Sequence, residues 1–192
     1  MQELASATLK RSIATLEAFA RDGLEPVVQA AESMAQALTS GRKVLAFGNG
    51  GSAADAQHLV AELVNRYQME RPPLPAVALN TDTSTLTSIA NDYHFDEVFV
   101  RQIKALGVEG DIALGISTSG RSPNVLHGLA AARARGLVTI GLSGAGAGEM
   151  APLCDILITV PSDETPRVQE THAVVVHLLC EMVDVKLFGR SK

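Results

Sequence analysis

At 192 residues the chain is long enough to bury a proper core and short enough to form one domain over 1–192. None of its apolar runs approaches the roughly 20 residues needed to span a bilayer, and the start, MQELASATLKRS, lacks the apolar stretch of a secretion signal, so the expected location is cytoplasmic, with no membrane partner. A net charge of −5 with only 4% aromatics argues against a direct nucleic-acid-binding face, and Cys154 and Cys180 have no partners at metal-ligand spacing and read as free thiols.

Two amphipathic helices are expected first. One carries Leu4, Leu9, Ile13, Leu16 and Phe19; the other follows Gly23 and carries Val27, Val28, Ala31, Met34 and Leu38. Both precede the first strand, so their apolar stripes need the sheet or another subunit to cover them. Five strands are expected at Val44–Phe47, Ala76–Leu79, Ile112–Ile116, Val138–Leu142 and Ile156–Val160, each a nearly continuous apolar run suited to parallel strands buried on both faces. Helical patterns alternate with them at Ser52–Tyr67, Thr83–Ala90, Phe95–Leu106 and Pro123–Arg135. A short helix around Gly148–Leu153 and a long one from about Pro166 to Leu187 close the chain. That order implies a three-layer α/β/α sandwich on a five-stranded, mainly parallel sheet.

Ligands in such folds sit beyond the carboxyl ends of the strands, which selects two loops. After the first strand comes Gly48-Asn49-Gly50-Gly51, a turn that glycine permits, then Ser52 as N-cap with Asp55 three residues on. His58, Glu62 and Arg66 follow at intervals of four, on one stripe of the same helix. An imidazole and a carboxylate one turn apart, below a helix N-terminus, suit general acid–base chemistry or a shared ion. The second loop is Ser117-Thr118-Ser119-Gly120-Arg121-Ser122, with Ser122 as N-cap and Pro123 opening a helix. Its hydroxyls, free N–H groups and positive helix end are what a phosphate dianion needs. No lysine of a nucleotide-binding P-loop is present, and the G48-x-G50-x-x-A53 spacing lacks the acidic residue that a dinucleotide site requires after the next strand. Elsewhere, His94, His127 and His172 read as packed or surface histidines, Met69–Pro73 as a linker, and Gly144–Gly148 as a flexible turn. Arg66 reads as either a solvated helix charge or a substrate contact.

The runs GNGGSAADAQH, IANDYHF, GISTSGRSPNV and RVQETH resemble the sugar isomerase (SIS) domain family, with its flavodoxin-like fold, and within it most closely the phosphoheptose isomerases. The resemblance covers essentially the whole chain. It implies isomerisation of sedoheptulose 7-phosphate to a glycero-manno-heptose 7-phosphate, the first step toward lipopolysaccharide core heptose, by a homotetramer with sites at subunit interfaces. It implies one zinc ion per subunit on His58, Glu62, Gln169 and His177. Substrate contacts would fall on Asn49, Gly50, Gly51, Ser52, Glu62, Asn91, Asp92, Ser117, Thr118, Ser119, Ser122 and Gln169, with Glu62 and His177 as the acid–base pair. Gln169 and His177 are eight residues apart, about 12 Å and roughly 80° on one helix. Either the last helix begins after Gln169, or the site draws on two subunits. Two other readings keep the same fold. A non-enzymatic relative that binds the replication initiator resembles ALNTD, IAND and LLCEMVDVKLF but lacks the carboxylate and histidine found here at Glu62 and His177; a sugar-phosphate-sensing module is the second.

Overall fold

The computed structural model describes residues 1–189. In chain order these form α1 (Gln2–Asp22), α2 (Leu24–Thr39), β1 (Val44–Gly48), α3 (Gly51–Val64), β2 (Ala76–Ala78), α4 (Thr83–Asp92), α5 (Val98–Leu106), β3 (Ile112–Ile116), α6 (Pro123–Ala134), β4 (Val138–Ser143), β5 (Ile156–Thr159) and α7 (Thr165–Phe188). The five expected strands are present, each within one residue of its expected bounds. The segment expected as one helix over Phe95–Leu106 opens with a 3₁₀ turn, Phe95–Glu97, before α5. The helix expected around Gly148–Leu153 is a single 3₁₀ turn at Ala151–Leu153, because Gly144–Gly148 spends its backbone on loop contacts instead.

All strand pairs are parallel, in the order β2-β1-β3-β4-β5. Strand alternation divides the core. Val44 and Ala46 of β1 face a cluster with α2, α3 and α7, while Leu45 and Phe47 face one with α5 and α6. β1, β3 and most of β4 are buried on both faces, as their apolar runs suggest. β2 and β5 are edge strands and only partly covered, so the two-face expectation fails for them. The chain reverses its direction of strand addition between β1 and β3, the point where an open α/β sheet leaves a crevice. Gly48 pairs with Ile116 there, so the loops that follow start side by side.

Helix α1 buries Phe19 alone, against α2 and α7; Leu4, Leu9 and Ile13 remain more than half exposed in the single chain. No helix of the described residues is long and apolar enough to cross a membrane.

Candidate active site

The turn after β1 is shaped by glycine. Gly50 takes φ +55°, a conformation L-residues rarely adopt, and a Cβ on Gly51 would strike the Gln169 side-chain amide of α7. Gly50 is the N-cap of α3, with no side-chain cap bond, which corrects the expectation that Ser52 caps this helix. Ser52 lies instead in the first turn, buried beneath Gly48. Asn49 locks the turn to α6: its amide donates to Asn124 Oδ1 at 2.8 Å and accepts from Asn124 Nδ2 at 2.9 Å. Asn124 is buried one position inside the helix that Pro123 opens. Its place directly after the Ser-Pro helix start is the signal for it in the sequence.

The loop after β3 is held from both sides. Ser117 is buried, with its Oγ 2.9 Å from Ser122 Oγ and accepting the Ser122 N–H at 3.4 Å. Ser119 Oγ accepts the Arg121 N–H at 3.2 Å and is exposed, whereas Thr118 is half-buried. Ser122 is the N-cap of α6 and Pro123 its first residue, as expected, although the hydroxyl faces Ser117 rather than the helix N–H groups. The Gly144–Gly148 turn is packed behind this loop. Gly144 N–H donates to Thr118 O at 3.0 Å, Glu149 N–H donates to Gly120 O at 2.9 Å, and Gly120, at φ +64°, lies flat against Ala147. The turn is a buttress, not the free connection its composition suggested.

One helical turn and more below Gly51, α3 meets α7 running parallel to it. His58 Nε2 is 3.2 Å from His177 Nε2, with the rings edge-on, and 3.4 Å from Glu62 Oε1. Two imidazole nitrogens this close must either share a proton or direct two lone pairs at one electrophile. Ligands held at 2.0–2.2 Å on a tetrahedral zinc stand about 3.3–3.6 Å apart; the 3.4 Å between His58 and Glu62 falls in that range, the 3.2 Å between the two imidazoles falls just short of it, and two histidines with a carboxylate are donor types the ion takes. Within the single chain the three are not assembled as a metal site: among the described residues no group of three or more His, Cys, Asp or Glu side chains is placed to hold an ion.

Asp55, read from sequence as half of a capping box, is not in a cap, since Gly50 fills that position. It shares the stripe of His58 and Glu62. Burial pushes its carboxyl up to about 6, with His58 drawing it partly back, and its Oδ2 is buried without a partner.

The structure divides the remaining expected residues. Helix α7 is continuous from Thr165, so the alternative that it begins after Gln169 is overturned. Gln169 stands beside Gly51, about 12 Å of helix from His177 and away from the His58 cluster of its own chain. Asn91 and Asp92 are exposed at the end of α4, bonded to each other at 2.9 Å. Helix α3 stops at Val64, short of the Tyr67 end expected for it, so Arg66 falls outside the helix and off the stripe of His58 and Glu62; it is exposed and pairs with Glu70 at 3.5 Å, a solvated charge of the segment after α3. His172 is fully buried, its Nε2 3.3 Å from Ser143 O, and burial pushes it down to about 4; His94 and His127 are exposed. Arg71 and Tyr67 were missed, the first because Met69–Pro73 reads as a linker. Arg71 is buried and ion-paired with Asp184 at 2.8 Å, and Tyr67 stacks on His177.

Residues 9–144 match the model of the SIS domain family. The phosphoheptose isomerase of Nitratidesulfovibrio vulgaris is 58% identical over 172 residues, covering 90% of this chain and 83% of that protein. Two solved structures are similar throughout. The phosphoheptose isomerase of Neisseria gonorrhoeae has a TM-score of 0.91 at 46% identity, over 95% of this chain and 98% of that one. The phosphoheptose isomerase of Francisella tularensis has a TM-score of 0.92 at 39% identity, over 95% and 97%. Fold, loops and likeness agree: the chain belongs to the SIS domain family and, within it, to the phosphoheptose isomerases, so it is an enzyme and not a non-enzymatic relative of the same fold.

Proposed function

We propose that the chain converts sedoheptulose 7-phosphate to D-glycero-D-manno-heptose 7-phosphate in the cytoplasm, toward the heptose of lipopolysaccharide core. The observation that carries this reading is that Glu62 of α3 and His177 of α7 both meet His58, on the helix whose preceding turn is bonded through Asn49 to Asn124 of α6, the helix that follows the serine loop. Gly51 to His58 is seven residues, about 10 Å of helix. That separation suits a sugar whose reacting carbons, C1 and C2, lie far along the chain from its 7-phosphate.

In this reading Ser117, Thr118, Ser119 and Ser122 hold the phosphate, with the α6 N-terminus supplying positive potential. The Asn49–Ser52 turn and Gln169 line the path of the sugar chain, and Asn91 and Asp92, exposed at the end of α4, contribute further contacts to it. Glu62 takes a proton from C1 of the ketose while His177 gives one to the C2 oxygen, forming an enediol. His177 then takes the proton of the C1 hydroxyl as Glu62 returns its proton to C2, leaving an aldehyde at C1. Each positioned acid or base contributes about 10²–10⁴-fold.

His58, Glu62 and His177 are the residues that would hold a zinc ion, with Gln169 reaching it from a second subunit. When bound, the ion supplies Lewis-acid polarisation of the sugar carbonyl. A carboxylate tightly bound to a cation is a weaker base, so Glu62 serves both roles only by holding the ion loosely. The homotetramer is supported by the exposed stripe Leu4, Leu9 and Ile13 and by the open groove along α2 and α7, lined by Val28, Ala31, Leu178 and Met182. Incubating the purified protein with sedoheptulose 7-phosphate and following anomeric aldose signals by NMR tests the activity. Growth of those signals is expected, and unchanged ketose would refute it.

A further inference from the structure

The segment joining α3 to β2 does more than connect them. The buried Arg71 guanidinium donates to Glu62 O at 2.7 Å, Leu63 O at 2.7 Å and Pro72 O at 3.1 Å, and its Nε donates to Asp184 Oδ1 at 2.8 Å. Glu62 and Leu63 carry two of the terminal carbonyls that α3 leaves open, where a cation also meets the negative end of the helix. Asp184 lies two turns beyond His177 on α7, its side chain 4% exposed. One side chain therefore grips the backbone of Glu62 and the helix that bears His177. Earlier in the segment, the Tyr67 ring stacks on the His177 ring, centroids 5.5 Å apart and planes 29° apart, while His58 meets that ring edge-on.

A buried ion pair is an expensive way to gain stability, since desolvation offsets most of the attraction. Asp184 Oδ2 has no partner at all, which makes stability a still poorer account of this pair. Geometry is the better account. Glu62 and His177 lie 115 residues apart in sequence on separate helices, and a misplacement of about 1 Å between reacting groups can lower turnover ~10²-fold. Only a planar fork with five donors can satisfy three carbonyls and a carboxylate together.

We propose that Arg71 and Tyr67 are positioning residues for the reaction: Arg71 fixes the register of α3 against α7, and Tyr67 fixes the plane of the His177 ring. This rests on the reading of Glu62 and His177 as the acid–base pair. Neither residue is near the serine loop, so substrate anchoring does not depend on them.

The test is steady-state kinetics on sedoheptulose 7-phosphate with the full-length, zinc-supplemented protein and its Tyr67→Ala, Tyr67→Phe, Arg71→Lys and Glu62→Gln variants, each checked by thermal melting. Tyr67→Ala and Arg71→Lys are expected to lower kcat about 10- to 100-fold while KM stays within about threefold. Tyr67→Phe keeps the ring and is expected to recover kcat to within about threefold of the original protein. Should Arg71→Lys fail to fold, Asp184→Asn, which keeps an oxygen for Nε but loses the charge, must show the same loss in kcat. A Tyr67→Ala variant with undiminished kcat, a matching rise in KM, or no recovery by Phe overturns the proposal. Glu62→Gln separates the two levels. If it turns over normally, the acid–base reading fails and the positioning roles fall with it; if it is inactive while Tyr67→Ala is not, only the positioning roles fall.

Discussion

The serine loop, tied to the start of α3 through Asn124 and Asn49, and the His58–Glu62–His177 cluster farther along that helix are built in opposite ways. The loop is local: Ser117 to Ser122 bond one another, Gly120 turns the backbone, and Pro123 starts the helix behind it. Its capacity for a dianion lies in backbone N–H groups and a helix end, features that survive the loss of any one hydroxyl. The cluster is non-local, made of side chains from two helices whose register depends on Arg71 and Asp184. Loss of one side chain there removes a function outright. The comparison teaches that binding in this molecule should degrade gradually and chemistry abruptly.

The sharpest way to break that contrast is at the acid–base pair. Glu62→Gln and His177→Gln should each lower kcat by at least about 10²-fold, and the double variant should lose little more, because both serve one proton-transfer sequence. Full additivity in the kinetics would separate their roles.

A smaller effect concerns the inner face of α7. His172 is buried and held neutral, its value pushed from 6.5 down to about 4. A depressed folded value means its contribution is fully present above 6.5 and lost as pH falls toward 4, about 3 kcal/mol in all. Urea midpoints at pH 7.5 and 5 should therefore differ less for His172→Asn than for the original chain. An unchanged gap would show that other groups carry the acid sensitivity.

The mildest changes should come at the binding end. Ser119→Ala should raise KM about tenfold or less with kcat nearly intact, the loss of one charge-assisted hydrogen bond. Asn124→Ala strands the Asn49 amide and should cost about 1–3 kcal/mol of stability, read as a lower melting temperature, along with a modest rise in KM.

The same contrast decides what was legible in the sequence. β1, β3 and β4 announce themselves because strands buried on both faces must be apolar throughout, and Ser122-Pro123 marks its helix start because proline at that position has one use. Ser52 was misread as a cap: Gly50 had already taken the required backbone conformation, which a side-chain rule does not see. Local spacing brought His58 and Glu62 together, whereas His177 and Gln169 came from family likeness, since residues over a hundred positions away leave no periodic trace. Arg71 was invisible because a charged residue between a glutamate and two prolines looks solvated until Asp184 and the end of α3 close over it.

The central claim, that one end of α3 anchors and the other reacts, is tested most directly by calorimetric binding of sedoheptulose 7-phosphate to metal-saturated Glu62→Gln protein. The account predicts a Kd within a few-fold of that for the original chain, although turnover has collapsed. Affinity falling in step with turnover would contradict it, because Glu62 would then be holding the sugar rather than moving its proton.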